Sequence, residues 1–273
     1  MIDVHCHLNF HKFDNDVDDV IKDAFEKGVT TIVNTGTSIP SSRLAVDLAQ
    51  KYDHLYAIVG IHPHHADKSD VEFEGELHPD WLVELEELAK KPKVIGIGEI
   101  GMDFWNYRTN GIVPEDLQED AFRKQIELSI KLSLPLQIHT RLAWDKTLFI
   151  LSDYKNQLQE NPGMFHCFSG SKEFARKVLD MGFYTGFDGN ITYGGVPPGE
   201  TTSLLELVKF VPEDRILTET DSPFLSPQAL RGQRNSPANI PLILDFIAKA
   251  KGIAYNTLEA QIERNFHTVF THA

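Results

Sequence analysis

Residues 1–10 read MIDVHCHLNF. An apolar start carries Asp3, then His5 and His7, one residue apart, where a core strand would ordinarily place valine or leucine. Successive side chains of a strand point to opposite faces, so His5 and His7 share a face and Cys6 takes the other. If that face is a barrel interior, two imidazoles point into it together. They are then either hydrogen-bonded core histidines or the holders of a ligand.

Seven more apolar runs follow: TTIVNTGT (30–37), LYAIVGIHP (55–63), KVIGIGEIGMD (93–103), LPLQIHTR (134–141), GMFHCFSG (163–170), FYTGFDGNIT (183–192) and RILTETDSPFL (215–225). Between them lie helical patterns. Val17, Val20, Ile21, Ala24 and Phe25 recur at helical spacing, as do Phe122, Ile126 and Ile130. Gly28 and Gly182 stand where a helix should stop before a strand. Eight strands alternating with helices predict a parallel sheet with right-handed crossovers. Its closure into an α/β (β/α)8 TIM barrel is the expected architecture, as one domain over residues 1–273, a normal length for this fold. A doubly wound open sheet is the competing reading, but no GxGxxG follows the first strand. After Pro237 the chain reads as two further helices packed outside the barrel, with Ser236 as N-cap and Pro237 at the first helical position.

Hydrophobic residues make up 41% of the 273, enough for a sizeable core. No basic leader with a long apolar stretch opens the chain, and no apolar run approaches the roughly 20 residues that span a bilayer. The two cysteines, Cys6 and Cys167, suit a reducing cytosol better than a disulfide framework, so a cytoplasmic location is expected. Each adjoins a histidine, and strand alternation turns both thiols away from the histidine face. The net charge of −14 excludes a general polyanion-binding surface. A phosphate-bearing substrate would need local cations.

The polar residues cluster at strand ends, where active sites of such barrels lie. His5 and His7 end the first run, His62, His64 and His65 the third, Glu99 and Asp103 the fourth. His139 ends the fifth, His166 the sixth, and Glu219 and Asp221 the eighth. A lone His139 or His166 reads as a hydrogen-bonded core residue. Glu99 in a glycine-flanked apolar strand needs a cation or strong donors, because an unpaired buried carboxylate costs several kcal/mol. Together, four histidines and two carboxylates at one barrel mouth point to metal. Imidazole and carboxylate ligands suit Zn, Mn or Mg, and two such ions assist hydrolysis at phosphorus.

The segments DVHCHL, GIHPH, GEIGMDF, QIHTR, HCFSGS, TETDSPFL and RNSPAN, in this order across the whole chain, resemble the TatD family of metal-dependent hydrolases, within the amidohydrolase superfamily. The resemblance implies a TIM barrel with divalent-metal-dependent deoxyribonuclease activity, including 3′→5′ exonuclease action on single-stranded DNA. It implies that His5, His7 and Asp221 hold one divalent ion (Mg, Mn or Zn) and His139 and His166 a second. Glu99 would bridge them, and Asp221 would orient the nucleophilic water or take its proton. His62 and His64 fall near the mouth, His64 toward a substrate phosphate or as support for a ligand. Arg141 and Arg234 would grip phosphate or pair with acidic loop neighbours. Phe104, Trp105 and Tyr107 would stack on bases or pack their loop. Glu219 reads as a structural carboxylate on the same strand face as Asp221, Asp103 as a partner for a ligand histidine, and residues 67–80 as a solvated acidic loop. Other amidohydrolase-superfamily members carry a carboxylated lysine on the fourth strand, where this chain has Glu99. Hydrolysis of another ester, such as a D-aminoacyl-tRNA, and a non-enzymatic metal-binding module are the remaining alternatives. Nucleic acid is the expected partner; the residues indicate no protein partner.

Overall fold

The computed structural model of the chain describes residues 1–67, 79–107 and 111–270. Nearly all of the acidic loop and the tip of the loop after Asp103 lie outside them. Eight parallel strands form one sheet in chain order: β1 (Ile2–Cys6), β2 (Thr31–Thr35), β3 (Leu55–Val59), β4 (Val94–Asp103), β5 (Leu136–Arg141), β6 (Gly163–Phe165), β7 (Tyr184–Phe187) and β8 (Ile216–Thr218). The segment after β8 returns to β1, with Asp221 N–H donating to the His5 carbonyl at 3.0 Å and His7 N–H to the Ser222 carbonyl at 2.7 Å. The architecture is the expected TIM barrel.

Helices α1 (Val17–Glu26), α2 (Ile39–Lys51), α3 (Trp81–Ala89), α4 (Glu115–Leu132), α5 (Trp144–Asp153), α6 (Lys172–Asp180) and α7 (Leu204–Phe210) cover the outside between strands. Their apolar stripes meet the outer face of the sheet, so its strands are buried on both faces and read as near-continuous apolar runs. Val20, Ile21 and Ala24 are the buried stripe of α1. Gly28, at φ 88°, follows that helix in the left-handed conformation that lets the chain turn into β2. Gly98 answers a different need. A Cβ there would lie 2.6 Å from Gln137 Cβ, so only glycine lets β4 approach β5 immediately beneath Glu99.

The two outer helices are α8 (Ile240–Lys251) and α9 (Tyr255–Val269). The start of the first differs from expectation. Pro237–Asn239 form a 3-10 turn, Ser236 makes no side-chain capping bond, and the α-helix begins at Ile240. Helix α9 is latched to the barrel by Asn265, whose amide donates to the carbonyls of Glu213 at 2.8 Å and Ile216 at 2.7 Å.

The strands end earlier than the apolar runs. β6 stops at Phe165 and β8 at Thr218, so His166, Cys167 and Glu219 to Asp221 lie beyond the ladder. Cys167 has φ 45° and Asp221 φ 52°. Strand alternation therefore does not govern these residues, and two expectations are corrected. Glu219 and Asp221 do not sit on a common strand face, and the Cys167 thiol is not on the reverse of a strand from His166. Cys6 does lie on the strand, its buried thiol facing the Val33 carbonyl.

Candidate metal centre

Glu99 is the centre of the barrel mouth, 4% exposed, and its two oxygens face different histidine pairs. Oε2 lies 3.7 Å from His5 Nε2 and 3.6 Å from His7 Nε2. Oε1 lies 2.8 Å from His139 Nδ1 and 3.6 Å from His166 Nε2. Asp221 Oδ1 completes the first side, 3.6 Å from His5 Nε2 and 3.4 Å from His7 Nε2. The structure thus brings together the six residues His5, His7, Glu99, His139, His166 and Asp221. β1 and its exit deliver the first pair, β4 the glutamate, β5 His139, and the turns after β6 and β8 the other two.

The outward nitrogens of three histidines meet acceptors. His7 Nδ1 donates to the Thr35 carbonyl at 2.9 Å, which can only accept, so its Nε2 faces the cluster. His139 Nε2 meets Asp103 Oδ2 at 2.9 Å. His166 Nδ1 lies 3.2 Å from Glu219 Oε1, close enough for ion pairing though not aligned as a hydrogen bond. Carboxylate and carbonyl partners of this kind fix tautomer and ring orientation in metal-binding histidines.

The electrostatics also fit a cation. The Nε2 atoms of His5 and His7 are 3.0 Å apart, and two imidazole lone pairs at that distance need a proton or a cation between them. Burial works against charge on His139, yet its bonds to Asp103 and Glu99 hold its pKa up at about 9. Burial likewise opposes charge on His166, but Glu219 and Glu99 push its pKa up to about 10. Glu99 is buried, yet the surrounding histidines keep its carboxyl well below the usual range. Without metal, then, protons on His139 and His166 balance the buried carboxylates, while burial keeps His5 and His62 neutral. His5, His7 and Glu99 form one group able to hold an ion, and Glu99, His139 and His166 another. Two more groups qualify by distance, His5–His166–Glu219 and His62–Asp103–His139. Each takes in a carboxylate that already backs a histidine of the first two.

The remaining site candidates are placed variously. His62 Nδ1 accepts from His64 N–H at 3.1 Å, so its Nε2 carries the hydrogen and points it at Glu99 Oε1, 3.4 Å away. It is a donor beside the cluster. His64 Nε2 stands 3.2 Å from Asp103 Oδ2, with its ring against Tyr107, on the side of Asp103 and His139. Arg141 donates to the Tyr107 hydroxyl at 2.8 Å and lies 4.2 Å over the Trp105 ring. Arg234 follows the acidic-neighbour reading. Its guanidinium pairs with both Asp16 oxygens, at 3.0 and 2.5 Å, and lies over Phe13. Sequence reasoning missed Gln137 and Thr35, which meet the outward sides of His5 and His7. Gln137 shares the strand face of His139, and a glutamine in an apolar run was the available signal. It also missed Asp3, whose buried carboxylate takes the Thr220 hydroxyl at 2.6 Å and the Thr220 N–H at 3.0 Å, tying β1 to the turn that carries Asp221.

An α/β barrel with His-x-His on the first strand, a central glutamate on the fourth, and histidines and an aspartate at its mouth defines a metal-dependent hydrolase. Residues 2–271 match the family model described as TatD related DNase, and the chain belongs to this family. It is 34% identical to the metal-dependent hydrolase YabD of Bacillus subtilis over 271 residues, covering 99% of this chain and 98% of that one. It is also 34% identical to the 3′-5′ ssDNA/RNA exonuclease TatD of Salmonella typhimurium over 275 residues, with 99% and 98% coverage. The crystal structure of YjjV, a TatD homologue of Escherichia coli, superposes with a TM-score of 0.86 at 25% identity, over 99% of this chain and 98% of that one.

Proposed function

We propose that the chain is a two-metal phosphodiesterase that removes nucleotides from the 3′ end of single-stranded DNA. The observation that carries this is Glu99, whose oxygens each face a separate pair of imidazoles. Similarity to a relative named as an ssDNA/RNA exonuclease supports the substrate class. In this reading His5, His7 and Asp221 would hold one ion and His139 and His166 a second, with Glu99 available to both. The ions, Mg, Mn or Zn, supply a nucleophilic water that ionises near neutral pH and neutralise charge at phosphorus. Asp221, partly exposed at the mouth, would accept the proton of the nucleophilic water. His62, with its hydrogen on Nε2, donates to a phosphate oxygen, and His64 supports Asp103 or a leaving group. Arg141, its guanidinium over Trp105 and bonded to the Tyr107 hydroxyl, would hold a phosphate. Arg234 contributes only by giving up its pairing with Asp16.

The test is a time course on 5′-labelled single-stranded DNA with EDTA-stripped protein, adding back Mg, Mn or Zn. Shortening from the 3′ end with one of these ions, absent in Glu99→Ala that keeps its fold, is the expected result. Stoichiometric metal binding without cleavage removes the nuclease reading and transfers the site to another ester, with D-aminoacyl-tRNA the next substrate.

A further inference from the structure

Gln137 is fully buried on β5, two residues before His139. Its partners leave its amide one orientation. One end lies 2.8 Å from the Val4 carbonyl, which only accepts, so that end is the nitrogen. The other end, the oxygen, accepts from the Thr35 hydroxyl at 3.0 Å and lies 2.8 Å from His5 Nδ1. An amide oxygen has no hydrogen to donate. His5 Nδ1 therefore carries one, and His5 Nε2 presents its lone pair toward Glu99 and Asp221. Thr35 extends the link, because its carbonyl receives His7 Nδ1–H at 2.9 Å. One buried Gln–Thr pair thus orients both histidines of β1.

We propose that Gln137 is the positioning residue that fixes His5 in the tautomer able to bind an ion, and that it does so with a neutral acceptor. The proposal rests on the metal-centre reading above. The contrast with the other side is chemical. His139 and His166 are backed by the carboxylates of Asp103 and Glu219, which raise imidazole basicity, whereas His5 is backed by an uncharged amide. The ion on the His5–His7 side therefore depends on Gln137, and the ion on the His139–His166 side does not.

The experiment reads metal binding and ring nitrogen chemistry directly. Long-range proton–nitrogen NMR of the metal-free wild-type protein reports which His5 nitrogen bears hydrogen. Competition with a chromophoric chelator measures Zn affinity for wild type, Gln137→Met and Gln137→Glu. We expect His5 as the Nδ1–H form in wild type. We expect one of the two ions to bind about 10–100-fold more weakly in Gln137→Met, the usual effect of losing such a partner, with the other ion unchanged. Gln137→Glu, which keeps an acceptor for His5 but gives up the donor to the Val4 carbonyl, recovers part of the lost affinity. A wild-type His5 with hydrogen on Nε2 overturns the proposal, and that spectrum needs no variant to fold. Unchanged affinity in Gln137→Met overturns it too, as does equal weakening of both ions with a lowered melting temperature, which marks a packing role. Wild type that binds no divalent ion defeats the metal-centre reading instead, while the His5 spectrum still decides what Gln137 does.

Discussion

Glu99 sits between two histidines, His139 and His166, that carry protons when metal is absent, and this has a measurable consequence. His139 and His166, with pKa values held up at about 9 and about 10, are protonated at neutral pH in the stripped protein. Their ordinary value is about 6.5. A group whose pKa is raised by folding stabilises the fold below its unfolded value and loses that contribution as pH rises through its folded value. Stripped protein should therefore melt at lower temperature as pH climbs from about 6.5 to about 10. Asp188, buried with its carboxyl pushed up to about 8, adds in the same direction at the lower end of that window. Metal must displace the histidine protons, so loading releases protons at pH 7 and its affinity rises with pH. Calorimetry in buffers of different ionisation enthalpy measures the release; metal uptake with no proton released contradicts the assignment. At this scale much was visible in advance. His5, His7, Glu99, His139 and His166 stand out as polar residues in apolar runs. What surrounds them was not visible, because Gln137, Thr35 and Asp3 act through partners far away in sequence.

At the scale of elements, Asn265 shows how the outer helices are joined to the barrel. It is 2% exposed and donates to the carbonyls of Glu213, just before β8, and Ile216, the first residue of β8. Asn265→Ala takes a donor from both, but the Glu213 carbonyl keeps the Ile216 N–H, so only the Ile216 carbonyl stands to lose its side-chain donor, and a buried unsatisfied group costs about 1–3 kcal/mol. The variant should lose roughly 1–3 kcal/mol in denaturant unfolding, with metal affinity unaltered. A loss below about 0.5 kcal/mol would mean that water replaces the amide. The existence and order of the strands and helices were legible from the alternation of apolar runs and helical stripes. Their ends were not. The run at 215–225 reads as one strand, but the β7–β8 ladder ends at Thr218, because composition does not report whether a neighbouring strand is still there to pair with. Asp221 consequently reaches the cluster from a left-handed turn and not from a strand.

At the scale of the whole molecule, the charge of −14 opposes a polyanion. Screening shortens that repulsion to about 10 Å at 0.1 M salt. Duplex DNA, with its higher charge density, should be cut more slowly than a single strand of equal length, and the gap should be widest at low ionic strength. Rates on both substrates between low and moderate salt check this; equal rates at low salt would contradict it. Among the described residues no helix is long and apolar enough to cross a membrane. By itself the sequence determined the barrel, its strand order and the residue types at its mouth, since burial on both faces of a parallel sheet demands apolar runs and makes each polar exception conspicuous. Tertiary structure decided which of those exceptions meet. Arg234 turns to Asp16, His62 presents a hydrogen and not a lone pair, and Glu99 divides its two oxygens between histidine pairs. These outcomes depend on distances between strands that are remote in the chain, and only closing the barrel sets them.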